Sequence, residues 1–206
     1  VTGDVILAAG LWVPSSVFWP LAARLRRAGC VPHVFSYSGR APFEANVERL
    51  ACFARETLGS RPGHFIGHSL GGLLVFETLT RHADIRVASV LLLGAPVRGC
   101  LAGRRFAQWR FGRWLMGGSA SRWEARSARW TRAEPLGVVA GTVVFGLGRM
   151  VGGRLPGEND GVVCAEETAV DGMAACKLVA QPHSWMPISP SVARLTESFL
   201  RSGRFE

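Results

Sequence analysis

The sequence predicts an α/β protein built on a mostly parallel sheet of about six strands flanked by helices, and three observations carry that expectation. Short apolar runs of strand length alternate with stretches whose apolar residues recur at helical spacing. Several of those runs are continuously apolar, as strands covered on both faces require. A G-x-S-x-G motif, Gly67-His68-Ser69-Leu70-Gly71, stands at one strand-to-helix junction. At 206 residues the chain is most simply one domain, 1–206, with no internal repeat, heptad run or linker.

The elements follow in order. Residues 5–9 form a short apolar run ending at Gly10, and 19–27 repeat Leu21, Ala22 and Leu25 at helical spacing before Gly29 stops them. Residues 31–36 read as the second strand. A helix over 43–58 carries Phe43, Val47, Leu50, Ala51, Ala54 and Leu58 on one stripe and is closed by Gly59. After a turn at Pro62 comes the strand that leads to Ser69, then a helix over 70–82. Another apolar strand, 87–93, ends in Gly94-Ala95-Pro96.

Residues 98–132 break the alternation by interleaving arginines with Trp109, Trp114, Trp123, Trp130, Phe106 and Phe111. The arginines do not gather on one side of a helical wheel, so an ordinary amphipathic helix describes the segment poorly. Regularity returns with a glycine-bounded strand over 138–145 and a sixth strand over 175–180. The last helix has Ser189 as cap, Pro190 in its first turn and Gly203 as its stop.

Composition narrows the partners. Charged residues are 19% and apolar residues 48%, which argues against disorder. The net charge is +9, yet Lys177 is the only lysine. An arginine skew of that kind can follow genomic base composition, so nucleic acid is not the expected partner. Five cysteines without a C-x-x-C pair read mostly as small buried hydrophobes, with neither a metal site nor a disulfide framework expected. Residues 1–9 do not read as a signal peptide, and the chain begins at Val1 rather than Met, which leaves room for a removed upstream segment. The nearly uncharged run 136–148 is too short to span a bilayer, and a soluble, cytoplasmic protein is expected.

The motif carries chemistry. A serine at the tip of a sharp strand-to-helix turn is strained and exposed, and Gly67 and Gly71 make room for it. The N–H of Leu70 then faces the carbonyl that Ser69 would attack. A serine hydroxyl needs a base, and only His82 and His183 follow it in sequence. His82 lies near the far end of the helix that Ser69 opens, about 20 Å away at 1.5 Å per residue. His183 follows a strand and so shares the rim of a parallel sheet with Ser69. Activity should then fall as pH drops through about 6.5, where an unperturbed imidazole takes up its proton.

The third member must accept the other imidazole N–H. Asp84 and Asp171 fall at the wrong end of the sheet, whereas Asp160 follows a strand and heads an Asp-Gly turn, with Glu158 in reserve. A second oxyanion donor is expected after the first strand, in Ala9-Gly10-Leu11-Trp12, and Leu11 N–H is the candidate. Losing such a donor costs about 10² to 10³ in rate.

The order Ser69, Asp160, His183 together with Gly67-His68-Ser69-Leu70-Gly71-Gly72 resembles the α/β-hydrolase superfamily, and among its members small bacterial lipases and esterases. Asp160-Gly161-Val162-Val163 is similar to the acid-bearing loop of several of those lipases. The resemblance covers nearly the whole chain apart from 98–132, and departs at Ala9-Gly10, where members commonly carry His-Gly. It implies hydrolysis of a small-molecule acyl ester, lipid-like or short, through an acyl-serine intermediate, with no metal and no organic cofactor. In such proteins an insertion near 98–132 often forms a cap or lid, with the tryptophans here lining an entrance and the arginines facing an anionic lipid surface; a packed surface excursion and a nucleic-acid-binding segment are the alternatives. A thioesterase or acyltransferase would use the same residues. A non-catalytic binding protein is the competing class, with Ala9 as its best supporting feature.

Overall fold

Six parallel strands form the centre of the protein: β1 (Gly3–Ala8), β2 (Cys30–Phe35), β3 (Gly63–His68), β4 (Val87–Leu93), β5 (Leu136–Gly141) and β6 (Ala175–Val179). Their order is β2-β1-β3-β4-β5-β6. The computed structural model describes residues 2–11, 13–116, 123–124, 126–145 and 154–205. Among the described residues the helices are α1 (Trp19–Arg27), α2 (Phe43–Leu58), α3 (Leu70–Arg81), α4 (Leu101–Ala107), α5 (Arg110–Met116) and α6 (Pro190–Ser202).

Successive strand residues face opposite sides, and both sides are apolar because both are covered. Ile6, Ala8, Phe65, Val90, Leu92 and Val138 pack into the layer built from α2, α3 and α4. Val5, Leu7, Ile66, Leu91, Leu93 and Val139 pack into the opposite layer with Leu21 and Leu25 of α1 and Val192, Phe199 and Leu200 of α6. β2 lies at an edge, which is why it tolerates Pro32 within a strand.

Two consequences of this topology prepare the site. The chain winds outward from β1 to β2 and then returns to the other side of β1 to lay down β3, so the C-terminal ends of β1 and β3 are neighbours at a switch point. All strands point the same way, so every loop leaving a strand end emerges at one rim.

The expected elements are found, with two differences. The fifth strand is Leu136–Gly141 rather than 138–145. Gly137 does not bound it but lies inside it, because the Phe199 ring occupies the space where a Cβ would stand. The register with β6 ends at Gly141 and Val179, and beyond it only Thr142 N–H to Val179 O (2.9 Å) and Val143 N–H to Gln181 O (3.4 Å) continue the pairing. The second difference concerns 98–132. Its first part forms α4 and α5, whereas Trp123, Ala128 and Trp130 join the core. Arg132 donates to the carbonyls of Leu79 (3.1 Å), His82 (3.4 Å) and Ile85 (2.7 Å), so it closes the C-terminal end of α3. Of the expected entrance-lining tryptophans, only Trp109 and Trp114 are exposed.

Among the cysteines, Cys30, Cys100 and Cys164 are buried, as expected of most of the set, while Cys52 and Cys176 are exposed. No helix among the described residues is long and apolar enough to cross a membrane.

Candidate active site

Ser69 stands between β3 and α3 with φ 55° and ψ −127°, the one non-glycine residue at positive φ among those described. Such a conformation costs of order 1–3 kcal/mol and persists because its surroundings dictate it. Ser69 N–H donates to Leu93 O (2.9 Å), and Ser69 O accepts from Gly72 N–H (3.0 Å) and Leu73 N–H (3.2 Å). A Cβ on Gly67 would lie 2.3 Å from Gly72 Cα, and one on Gly71 would lie 2.3 Å from the carbonyl oxygens of Ala8 and Ala9. The turn closes only with glycine at both positions.

The rim brings Ser69, Asp160 and His183 together, although 114 residues separate the hydroxyl from the imidazole. His183 opens a short 3₁₀ turn (His183–Ile188) after β6, and Asp160 lies in the loop between β5 and β6. His183 Nδ1 is 2.7 Å from Asp160 Oδ2, and His183 Nε2 is 2.9 Å from Ser69 Oγ. A carboxylate can only accept, so Nδ1 carries the proton and Nε2 presents its lone pair to the Ser69 hydroxyl. The other carboxylate oxygen, Oδ1, accepts from Val162 N–H (2.9 Å) and Val163 N–H (2.7 Å), which fixes the carboxylate plane. Asp160 is 1% exposed and His183 6%, so water competes little for these bonds. His183 N–H also donates to Asp160 O (3.1 Å), tying the two loops together.

The residues set aside on sequence are held elsewhere. His82 is engaged with Arg55 (3.1 Å) and Glu48 (3.3 Å), Asp84 pairs with Arg55 (2.7 Å), and Asp171 pairs with Arg98. Glu158 is exposed, with its backbone carbonyl bound to Ala165 N–H (2.8 Å).

On the other side of Ser69, Gly10 closes in: a Cβ there would lie 2.9 Å from Ser69 Cβ and 3.4 Å from Ser69 Oγ. Leu11 follows immediately, and Leu70 is the first residue of α3, whose opening N–H groups lack intrahelical acceptors. Trp12, also in this loop, lies outside the described residues. A cleft of about 340 Å³ starts here, lined by Ala9, Gly10, Leu11, Val13, Pro14, Ser15, Phe35, Ser36, Tyr37 and Gly39. None of those side chains is charged.

One residue of the site escaped the sequence reading. His68, directly before Ser69, is 1% exposed, and its Nε2–H donates to the backbone carbonyl of His183 (3.0 Å). Its ring packs against that of His183 with centroids 4.9 Å apart. Burial first, and the neighbouring His183 second, push its pKa down to about 3, so it is neutral. A polar ring at the end of a strand that is buried along its whole length needs a partner, and that requirement was the available signal.

Comparison with known proteins agrees with the geometry. No curated protein matches the sequence. Among solved structures, a metagenomic carboxyl esterase is 17% identical at a TM-score of 0.65, over 87% of this chain and 64% of that one. Phospholipase PlaB from Legionella pneumophila is 13% identical at 0.66, over 82% and 44%. The NocB thioesterase domain from the nocardicin cluster is 14% identical at 0.62, over 98% and 95%. This chain thus spans less than two thirds of the esterase and of the phospholipase, and at these identities the likeness is one of fold. A family model described as the alpha/beta hydrolase family matches residues 5–198, nearly the entire sequence, and by that match the chain belongs to the alpha/beta hydrolase family.

Proposed function

We propose that the chain is a serine hydrolase that cleaves carboxylic esters through an acyl-serine intermediate. The observation that carries the reading is the continuous contact from Ser69 Oγ through His183 to Asp160, at 2.9 Å and 2.7 Å. In the proposed reaction His183 Nε2 takes the hydroxyl proton as Ser69 Oγ bonds to the ester carbonyl carbon. The carbonyl oxygen becomes an anion held by the N–H groups of Leu70 and Leu11. Collapse expels the alkoxide, which leaves as an alcohol with the proton from His183. Water then attacks the acyl-serine with His183 again as base, releasing the acid and restoring Ser69. Asp160 keeps the imidazole in the required tautomer and stabilises it while positive.

The uncharged cleft beside Gly10 supports an apolar acyl or alcohol group as the part of the substrate it receives. Exposed Phe111, Trp114, Phe145 and Trp185, together with the net charge of +9, support an anionic lipid surface as partner. A thioester substrate would use the same residues, and paired oxyester and thioester assays separate the two.

The test is labelling with a fluorophosphonate, followed by turnover of p-nitrophenyl esters of graded chain length. Rapid adduct formation at Ser69, lost in Ser69→Ala along with esterase activity, is expected. A folded protein that neither labels nor hydrolyses any of the esters would sink the enzyme in favour of a binding protein.

A further inference from the structure

We propose that Tyr37 is a positioning residue for the oxyanion site, a strut that sets the direction of the Leu11 N–H by holding the Ala9 carbonyl. The inference rests on the serine-hydrolase reading and identifies what fixes its least constrained part. β1 ends at Ala8, so the Ala9 carbonyl lies beyond the last rung of the ladder, and a buried carbonyl needs a donor. The Tyr37 hydroxyl supplies it at 2.9 Å. Tyr37 stands two residues beyond the end of β2, the neighbour of β1 in the sheet, and so emerges at the same rim.

The strut is rigid at both ends. The Tyr37 ring stacks on buried Phe35, with centroids 5.9 Å apart and planes at 16°, and Phe35 packs in turn against Phe53 of α2. At the other end the Ala9 oxygen sits over Gly71, where a Cβ would reach within 2.3 Å of it. Because a peptide group is planar, fixing the Ala9 oxygen fixes the Gly10 nitrogen as well. The next plane is held through Val13 N–H, which donates to Gly10 O (3.3 Å). That plane contains the Leu11 N–H, which in a trans peptide points opposite to the Gly10 oxygen. Two consecutive planes are thereby set before Leu11, and Gly10 between them is pressed against Ser69. A donor held in advance is what oxyanion stabilisation requires. Burial pushes the Tyr37 pKa upward, so the hydroxyl keeps its proton across the working pH range.

The experiment compares Tyr37→Phe with the parent and with Ser69→Ala on a p-nitrophenyl ester. It adds inhibition by an alkyl trifluoromethyl ketone, which forms a tetrahedral adduct, and by the matching methyl ketone, which does not. Because the aligned donor contributes about 10² to 10³ and Tyr37 only aims it, kcat should fall by about tenfold or more with KM within about twofold. Trifluoromethyl ketone inhibition should weaken by the same factor, and methyl ketone binding should not change. If kcat and trifluoromethyl ketone inhibition both stay within about twofold of the parent, or if both ketones weaken alike, the strut is refuted. Residual esterase activity in Ser69→Ala would instead refute the serine-hydrolase reading itself.

Should Tyr37→Phe fail to fold, a second route exists because Tyr37 is the only tyrosine in the chain. Growth on 3-fluorotyrosine makes this hydroxyl alone a stronger donor. A change in kcat, together with a ¹⁹F shift on addition of the trifluoromethyl ketone, supports the strut, and the absence of both overturns it.

Discussion

At the scale of single residues, the site depends on one proton being on the right nitrogen. Asp160 accepts from His183 and cannot donate, so the tautomer is set by a carboxylate whose second oxygen is already engaged by Val162 and Val163. Asp160→Asn leaves the shape nearly unchanged but can place an amide N–H against Nδ1, favouring the wrong tautomer. We expect kcat on a p-nitrophenyl ester to fall by about 10³ to 10⁴ while KM changes little. An asparagine variant within tenfold of the parent would contradict the role.

His68 makes a different prediction, on stability rather than rate. Folded, its pKa is pushed down to about 3 by burial and then by His183. Unfolded, it titrates near 6.5. Between those values the unfolded chain binds the additional proton, so the contribution is full above about pH 6.5 and is lost as pH falls toward 3, by up to about 1.4 kcal/mol per pH unit. His64, bonded to Ser89 at 2.8 Å and lowered mainly by burial, acts in the same direction. Urea unfolding of His68→Gln between pH 4 and 7 should show a shallower pH slope than the parent, and an identical slope would count against it.

At the scale of elements, α3 is the part most exposed to a single change. Its N-terminal end bears Ser69, and its C-terminal carbonyls receive one guanidinium, that of Arg132. Replacing that side chain leaves orphan carbonyls at a helix end. Arg132→Met should lower stability by about 1.5 to 3 kcal/mol in denaturant titrations while leaving kcat of the folded fraction nearly unchanged. The same contact explains why 98–132 was hard to read in the sequence. Arg98, Arg105, Arg126 and Arg132 are placed by the distant carbonyl or carboxylate each one reaches, and no periodicity along the chain encodes that. By contrast, the spans of α1 and α2 were legible to the residue, because their apolar stripes and terminal glycines are local signals. β5 was misplaced because a glycine that admits the Phe199 ring looks, in sequence, like one that ends a strand.

At the scale of the whole molecule, strand order decides what could be foreseen. That Ser69, Asp160 and His183 meet at one rim was legible because the motif marks Ser69 and alternation says which end of a parallel sheet the other two loops leave. Tyr37 was not, because its use depends on β2 lying next to β1, and nothing in the spacing states that. Charge is also a property of the whole. With a net +9 and exposed aromatic side chains, the protein should sediment with vesicles rich in phosphatidylglycerol and not with phosphatidylcholine alone. Raising the salt from 0.05 to about 0.5 M should release much of it as the Debye length shrinks to a few ångströms. Equal binding to both vesicle types would remove the anionic surface as a partner.

The sheet starts one strand in from an edge and ends at the opposite edge, and the imidazole arrives after its last strand. On the proposed mechanism, a nascent polypeptide that has already shaped its serine turn stays inert until residue 183 docks. Appearance of turnover during refolding would mark the end of assembly rather than its beginning.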